Sequence, residues 1–296
     1  QAVVADCQAG LRIALVAQTP HAQASLAVSY NSLQGYGASL QEALTEAYPA
    51  YAAIGTQGPD GQYRQLGTSL LQIENEFYGA IRPTRVIYAG ERPLHALRER
   101  GVEYVEVRLM DLDPFEPVGI NAQTIRFLDV FLLHCLQSPS APDSPEEIVA
   151  LAHNQQAVAE RGREPGLQLE RGIEHVLLTA WGEELLVQMR PLAQQLDAAH
   201  GCTDYSAALN SALQGLHNPD SLPSARVLRS IQEEHDNSFV AFARTRSEQV
   251  KAAMLAMPLD NVTDARFQEM ARVSRAKQAE IEASDSLPFE EYLKVY

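Results

Sequence analysis

The sequence predicts an α+β protein in which an antiparallel sheet comes first and helices follow. Between residues 20 and 120, short segments of alternating apolar and polar residues are separated by turn residues, which is typical of strands. From residue 121 onwards, apolar residues recur at helical spacing. The links after the second predicted strand contain too few residues for a full crossover helix, which favours antiparallel pairing.

The sheet-rich part opens with a helix and continues with three strands. The segment 38–51 has helical spacing until Pro49 ends it. After a turn at 58–61, three segments alternate with period two and are predicted as strands: 69–78, 84–89 and 101–110. Because period two puts every second side chain on the same face, the two faces of each strand follow from the sequence.

The third predicted strand separates polar and apolar side chains. In GVEYVEVR, residues 101–108, one face carries a phenol, a carboxylate and a guanidinium, which belong to Tyr104, Glu106 and Arg108. The opposite face carries two β-branched residues, Val105 and Val107. We therefore expect the valines to pack against a layer behind the sheet.

The first predicted strand has a similar polar face, made of Gln72, Glu74, Glu76 and Tyr78. The pattern leaves two interpretations open. One is a sheet with a solvated face, which the pattern alone favours. The other is a metal and phosphate site, in which carboxylates hold Mg²⁺ and an arginine binds phosphate oxygens through two parallel hydrogen bonds.

Helix start and stop signals divide the second half of the chain. Asn121 is a candidate N-cap for the apolar segment that follows it. Ser144 as N-cap, Pro145 at the first helical position and Gly162 as stop define a second helix. Further helices are predicted over 183–200 (with a kink at Pro191), 204–216, 222–235, 237–256 and 263–283.

Composition excludes several classes of partner. The chain has 296 residues and a formal charge of −15, which argues against a nucleic-acid binder or an anionic-membrane binder. The longest apolar segment, 127–136, is too short to span a bilayer. A nucleotide substrate is still compatible with the acidic charge, since Mg²⁺ bridges carboxylates and phosphates. The three widely spaced cysteines suit a reducing compartment such as the cytoplasm.

Several longer segments together resemble the proteobacterial type of glutamate–cysteine ligase. The strongest are LQIENEFYGAIRPTR (71–85), GVEYVEVRLMDLDPFEPVGI (101–120) and RFLDVFLLHCL (126–136). GREPGL (162–167) and SARVLRSI (224–231) are similar to the family as well. Their order and spacing agree with the family across about residues 24–290, which makes the match specific.

This resemblance implies a fold, a reaction and a set of site residues. The fold would be that of the glutamine synthetase-like carboxylate–amine ligases, whose antiparallel sheet curves into a funnel around the active site. The reaction would join the γ-carboxylate of L-glutamate to the amine of L-cysteine with ATP and Mg²⁺, through a γ-glutamyl phosphate, as the first step of glutathione biosynthesis. Glu106 matches a Mg²⁺-binding glutamate of the family, Arg108 its catalytic, phosphate-contacting arginine, and Tyr78 a tyrosine of the cysteine pocket.

The match covers only the carboxyl-terminal part of the family's chain. We expect one domain over 24–296, sheet-rich to residue 120 and helical from 121, after a divergent segment 1–23 in which Gln18 stands where the family has a substrate-site tyrosine. A truncated or frame-shifted reading of a longer gene would explain this. Two alternatives stay open: a related carboxylate–amine ligase with another amine acceptor, and a non-catalytic remnant.

Overall fold

The computed structural model describes residues 26, 28–77, 79, 81–88, 90–108 and 110–295, with side chains up to Tyr292. The chain divides into two compact units, with the boundary between Ala243 and Arg244. Helices and small antiparallel sheets together confirm the α+β class. The predicted domain start at residue 24 lies outside the described residues and stays a prediction.

Helices and one two-stranded sheet alternate in the first part of the chain. Its elements are α1 (Leu33–Thr45), α2 (Pro49–Ile54), β1 (Ile81–Thr84), α3 (Pro93–Arg100) and β2 (Tyr104–Val107). Pro49 begins α2 at a first-turn position instead of ending a helix over 38–51, because a missing amide hydrogen is harmless there. The link between β1 and β2 contains α3, so it is longer than we expected, but the strands do pair antiparallel.

The predicted first strand, 69–78, is wrong over the described residues. Residues Glu74–Glu76 form a single 3₁₀ turn. The carboxylate of Glu76 accepts a hydrogen bond from the amide of Gln72 at 2.6 Å, which closes the turn onto itself. Alternation in this segment therefore reflects a capped turn and not the two faces of a strand.

The predicted second strand, 84–89, is also misplaced, since Thr84 is the only one of its described residues, 84–88, that belongs to β1. The residues that follow form a loop fastened by side chains. Arg85 turns towards the end of α3 and donates to the carbonyl oxygens of Arg100 at 2.5 Å and Gly101 at 3.0 Å. These carbonyls have no partner within the helix, so the guanidinium caps its carboxyl end.

The predicted helices of the second half are confirmed with shifts of a few residues. They are α4 (Ala122–Gln137), α5 (Pro145–Arg161), α6 (Leu178–His200), α7 (Asp204–His217), α8 (Pro223–Glu234), α9 (Phe239–Ala256) and α10 (Asn261–Ser284), followed by α11 (Phe289–Val295). Asn121 and Ser144 cap α4 and α5 as predicted, and α6 continues through Pro191 as one helix. No helix within the described residues combines the length and low polarity needed to cross a membrane.

A β-hairpin interrupts the helical half and was not predicted. Strands β3 (Gln168–Arg171) and β4 (Glu174–Leu177) are joined through Gly172, whose φ of 62° favours glycine. The buried side chain of Asn154 in α5 bonds both backbone groups of Glu170, at 2.7 Å and 2.8 Å, and so fixes the hairpin to this helix.

Among the described residues of the first unit, buried side chains form three hydrophobic clusters. The first joins α1, α3 and the segment before β1, and its buried residues are Val28, Tyr36, Leu40, Ala43, Leu71, Phe77, Leu94 and Leu97. The second joins α4, α6 and α7 around Val130, Leu186, Met189, Ala193 and Leu209. The third contains Val227, Ile231 and Phe242. The first cluster includes Phe77, which precedes β1, and Leu94 and Leu97 of α3, the helix between β1 and β2.

Candidate functional site

The β1–β2 ribbon has one polar face. Arg82 pairs with Glu106, and Thr84 pairs with Tyr104, in the antiparallel register. Because directly paired residues of antiparallel strands point to the same side, these four side chains share a face. The alternation predicted for the strand at 101–108 is therefore confirmed over β2.

Glu106 and Arg108 are in direct contact on this face. The Nε atom of Arg108 donates to Oε2 of Glu106 at 2.8 Å, and Nη2 lies 2.7 Å from the same oxygen. The hydroxyl of Tyr104 lies 3.5 Å from the other carboxylate oxygen. The structure thus brings together the two residues for which the sequence predicted metal and phosphate roles, although the roles themselves stay predictions.

The carboxylate of Glu106 is stabilised in its charged form. The hydrogen bond from Arg108 is the main cause that lowers its pKa, and the charges of Arg108 and Arg82 lower the pKa further against partial desolvation. The side chains of Glu106 and Arg108 keep 32% and 21% of their surface exposed, so solvent and small ligands reach them. An ionised, accessible carboxylate beside a guanidinium suits both metal binding and oxyanion binding.

Tyr78, the predicted residue of the cysteine pocket, lies outside the described residues. The residue before it, Phe77, is buried in the first hydrophobic cluster. The role of Tyr78 therefore stays a prediction.

The valine face of the ribbon corrects one expectation. Val105 and Val107 are 45% and 38% exposed, so they are not packed against a layer within the described part of the chain. The paired residues on β1, Ile81 and Pro83, are half-buried. The apolar face of the ribbon is therefore formed, but only partly covered.

Glu106 fits one position of a magnesium site. Carboxylate oxygens are the donors that Mg²⁺ prefers, and Mg²⁺ commonly takes one or two of them together with substrate phosphates. Within the described residues there is no cluster of three or more histidine, cysteine, aspartate or glutamate side chains that would hold a metal. Glu74 does not lie on a neighbouring strand, since it belongs to the 3₁₀ turn, and its carboxylate accepts a hydrogen bond from the amide of Leu94 at 2.6 Å and caps α3.

Two residues that sequence reasoning did not select belong to the same neighbourhood. Arg82 lies in the segment 71–85 that resembles the family, but its place opposite Glu106 depends on the strand register. Tyr36 is buried on α1, and burial is the main cause that raises its pKa. The charges of Arg82 and Arg108 act in the opposite direction, so its hydroxyl lies within electrostatic reach of both guanidinium groups.

Comparisons with known proteins place these residues in a family context. The family model described as glutamate-cysteine ligase matches residues 1–158. The glutamate–cysteine ligase of Azotobacter vinelandii is 42% identical over 97% of this chain, and that of Pseudomonas paraeruginosa is 43% identical over 97%. The crystal structure of the Francisella tularensis glutamate–cysteine ligase in complex with AMP aligns with a TM-score of 0.83 and 32% identity over 93% of this chain.

The match covers about half of these relatives. The chain spans 54% of the length of the Azotobacter and Pseudomonas enzymes and 54% of the Francisella chain. A bifunctional glutathione synthetase from Pasteurella multocida, at 20% identity and a TM-score of 0.51, is similar in fold alone.

Proposed function

The chain belongs to the glutamate–cysteine ligase family, and from this premise we propose that it carries the phosphoryl-transfer side of a ligase active site. The complete reaction is the ATP-dependent joining of the γ-carboxylate of glutamate to the amine of cysteine, in the cytoplasm. The observation that carries the proposal is the contact between Glu106 and Arg108 on the accessible polar face of β2.

The chemistry explains why these two side chains are needed. A γ-carboxylate oxygen of glutamate attacks the γ-phosphorus of ATP, and ADP leaves. The cysteine nitrogen then attacks the γ-carbonyl carbon of the acyl phosphate, phosphate leaves, and the nitrogen loses a proton. Both steps gather negative charge on phosphoryl oxygens, and Arg108 offers a planar guanidinium that neutralises and orients them.

Glu106 has a complementary role. When Mg²⁺ is bound, it would neutralise phosphate charge, and the Glu106 carboxylate would be one of its ligands. The carboxylate also holds Arg108 in place through two short contacts to one oxygen. Glu106 therefore orients the guanidinium of Arg108, and its carboxylate would offer Mg²⁺ a hard oxygen donor.

A chimera tests the proposal. In it, these 296 residues replace the segment of the Azotobacter vinelandii ligase with which they align. We expect the chimera to form γ-glutamylcysteine from glutamate, cysteine and ATP, measured by product chromatography and ADP release. We expect no turnover from the 296-residue chain alone, because it spans 54% of that relative and brings one carboxylate to the described ribbon face.

Two controls separate the alternatives. Initial rates with cysteine, 2-aminobutyrate and ammonia show which amine the site accepts, and a preference for another amine would identify a related carboxylate–amine ligase. A chimera that folds but has no turnover with any of these amines would refute the proposed function and favour a non-catalytic remnant. The partial coverage of the relatives is the observation that keeps the remnant as the second candidate.

A further inference from the structure

Arg82 occupies a position on the ribbon that the proposed function has not used. It lies directly opposite Glu106, and it is a diagonal neighbour of Arg108 on the same face. Diagonal neighbours across antiparallel strands are about 7–8 Å apart, which long side chains bridge. Two guanidinium groups therefore flank a single carboxylate.

Electrostatic coupling agrees with this placement. The charge of Arg82 lowers the pKa of Glu106, and it also counteracts the burial that raises the pKa of Tyr36. Arg108 acts on the same two groups. Both guanidinium groups thus project their charge into one region, which Glu106 borders on the ribbon and Tyr36 borders from α1.

Arg82 differs from neighbouring arginines in how it is held. Arg108 and Arg100 are paired with carboxylates, and Arg85 donates to two carbonyl oxygens. Arg82 forms no ion pair with any carboxylate of the described residues, and its recorded hydrogen bond there is a long one, 3.4 Å from Nη2 to Oδ1 of Asn75. A guanidinium has five donors, so most of this capacity is unused by the described part of the chain.

Arg82 is also half-buried, so water hydrates its unused donors less well than it would on a fully exposed side chain. A charged group that has lost part of its hydration is stabilised by an opposite charge when one is supplied. Planar guanidinium groups bind carboxylate and phosphate oxygens through paired hydrogen bonds. The unused donors of Arg82 therefore suit an oxyanion.

From these observations we propose that Arg82 is a binding residue that holds an oxyanion of the substrates together with Arg108. The inference rests on the proposed function, since the oxyanion is either a phosphoryl group of the nucleotide or a carboxylate of glutamate. Arg108 itself is paired with Glu106.

Isothermal titration of the 296-residue chain tests this without requiring turnover. The probes are inorganic pyrophosphate and, separately, L-glutamate, at constant ionic strength because salt screens such contacts. Arg82→Gln should weaken binding of one probe about ten- to hundredfold, as expected for loss of a charge-assisted hydrogen-bond pair. Arg82→Lys should weaken it less, since it keeps the charge and loses only the fork.

The matched control is Arg161→Gln, which removes an exposed guanidinium paired with Glu164 at the end of α5. It should leave both affinities unchanged. A weakened pyrophosphate affinity assigns Arg82 to the phosphoryl group, and a weakened glutamate affinity assigns it to the substrate carboxylate. Circular dichroism verifies the fold, and Arg82→Lys carries the test if Arg82→Gln does not fold.

Two outcomes would overturn the inference. One is that the wild-type chain binds neither probe, and the other is that Arg82→Gln binds both as the wild type does. These results are distinguishable from failure of the proposed function. If binding by the isolated chain depends on Arg82, the oxyanion site is supported even when the chimera is inactive. If binding does not depend on Arg82, the oxyanion site is refuted even when the chimera is active.

Discussion

Glu106 and Asp197 are two acidic residues whose pKa values are lowered by different kinds of interaction. For Glu106 the main cause is the Arg108 side chain on the accessible ribbon face. For Asp197 desolvation raises the pKa, but hydrogen bonds from Ser206 and from the amides of Tyr205 and Ser206 outweigh it. The Asp197 carboxylate accepts these amides at 2.9 Å and 3.1 Å, so it caps the beginning of α7 from the end of α6.

Asp197→Asn should reduce stability in a pH-dependent way. Because the folded-state pKa lies below that of the unfolded carboxyl, about 3.9 in model peptides, the stabilisation is present above that value. It is lost as the pH falls through the lowered folded-state pKa. In urea unfolding we expect a lower midpoint for the variant at pH 7, and a difference that shrinks towards about pH 3.

If the urea midpoints of the wild type and Asp197→Asn differed by the same amount at pH 7 and at about pH 3, the assigned role of Asp197 would be contradicted. Asp285→Asn is a suitable control, since Asp285 is exposed after the end of α10. The control should follow the wild type at both pH values.

The sequence could predict Glu106 and Arg108 as neighbours, but not the fate of Glu74 or Glu76. Strand alternation is a local property, and it places residues 106 and 108 on one side whatever surrounds them. The partner of Glu74 is the amide of Leu94, twenty residues further along the chain, which no local pattern reveals. Carboxylates that seemed available for metal binding are thus used by the backbone.

At the scale of elements, local capping signals were reliable. Ser144 accepts a hydrogen bond from the amide of Glu147 at 3.2 Å, and Asn121 accepts one from Thr124 at 2.8 Å. Such signals satisfy backbone donors within one turn, so they depend little on tertiary structure. The β3–β4 hairpin was missed for the opposite reason, because its attachment through Asn154 is a tertiary contact.

Ser144→Ala should lower the free energy of unfolding by about 1 kcal/mol, since the substitution leaves the amide at the third position of α5 without its acceptor. Urea unfolding followed by circular dichroism measures this difference. Ser144→Asp keeps an acceptor and adds a favourable charge at the helix amino terminus, so it should retain the wild-type stability. Equal destabilisation by both substitutions would show that the cap is not the cause.

On the scale of the whole molecule, the chain aligns with the Francisella tularensis ligase at a TM-score of 0.83, and its first half has a sheet of two strands within the described residues. The valine face of the ribbon is exposed within the described residues, and the chain spans about half the length of each of these relatives. The sequence resemblance predicted the family correctly because its motifs are contiguous. It could not show that the apolar face of the ribbon would be only partly covered.

The central claim is that the polar face of the ribbon serves phosphoryl transfer while the opposite face does not. Glu106 and Glu103 provide a matched pair of carboxylates, because they are three residues apart and alternation along an extended segment puts them on opposite faces. Glu103 contacts Arg85 and the amide of Val86, away from Arg108. The two glutamine substitutions therefore change the same chemical group on different sides.

Turnover of the chimera as a function of Mg²⁺ concentration is the measurement that tests this claim most directly. We predict that Glu106→Gln lowers turnover about a hundredfold or more and raises the Mg²⁺ requirement, whereas Glu103→Gln stays within about twofold of the parent chimera. Equal turnover and equal Mg²⁺ dependence for the two variants would contradict the account.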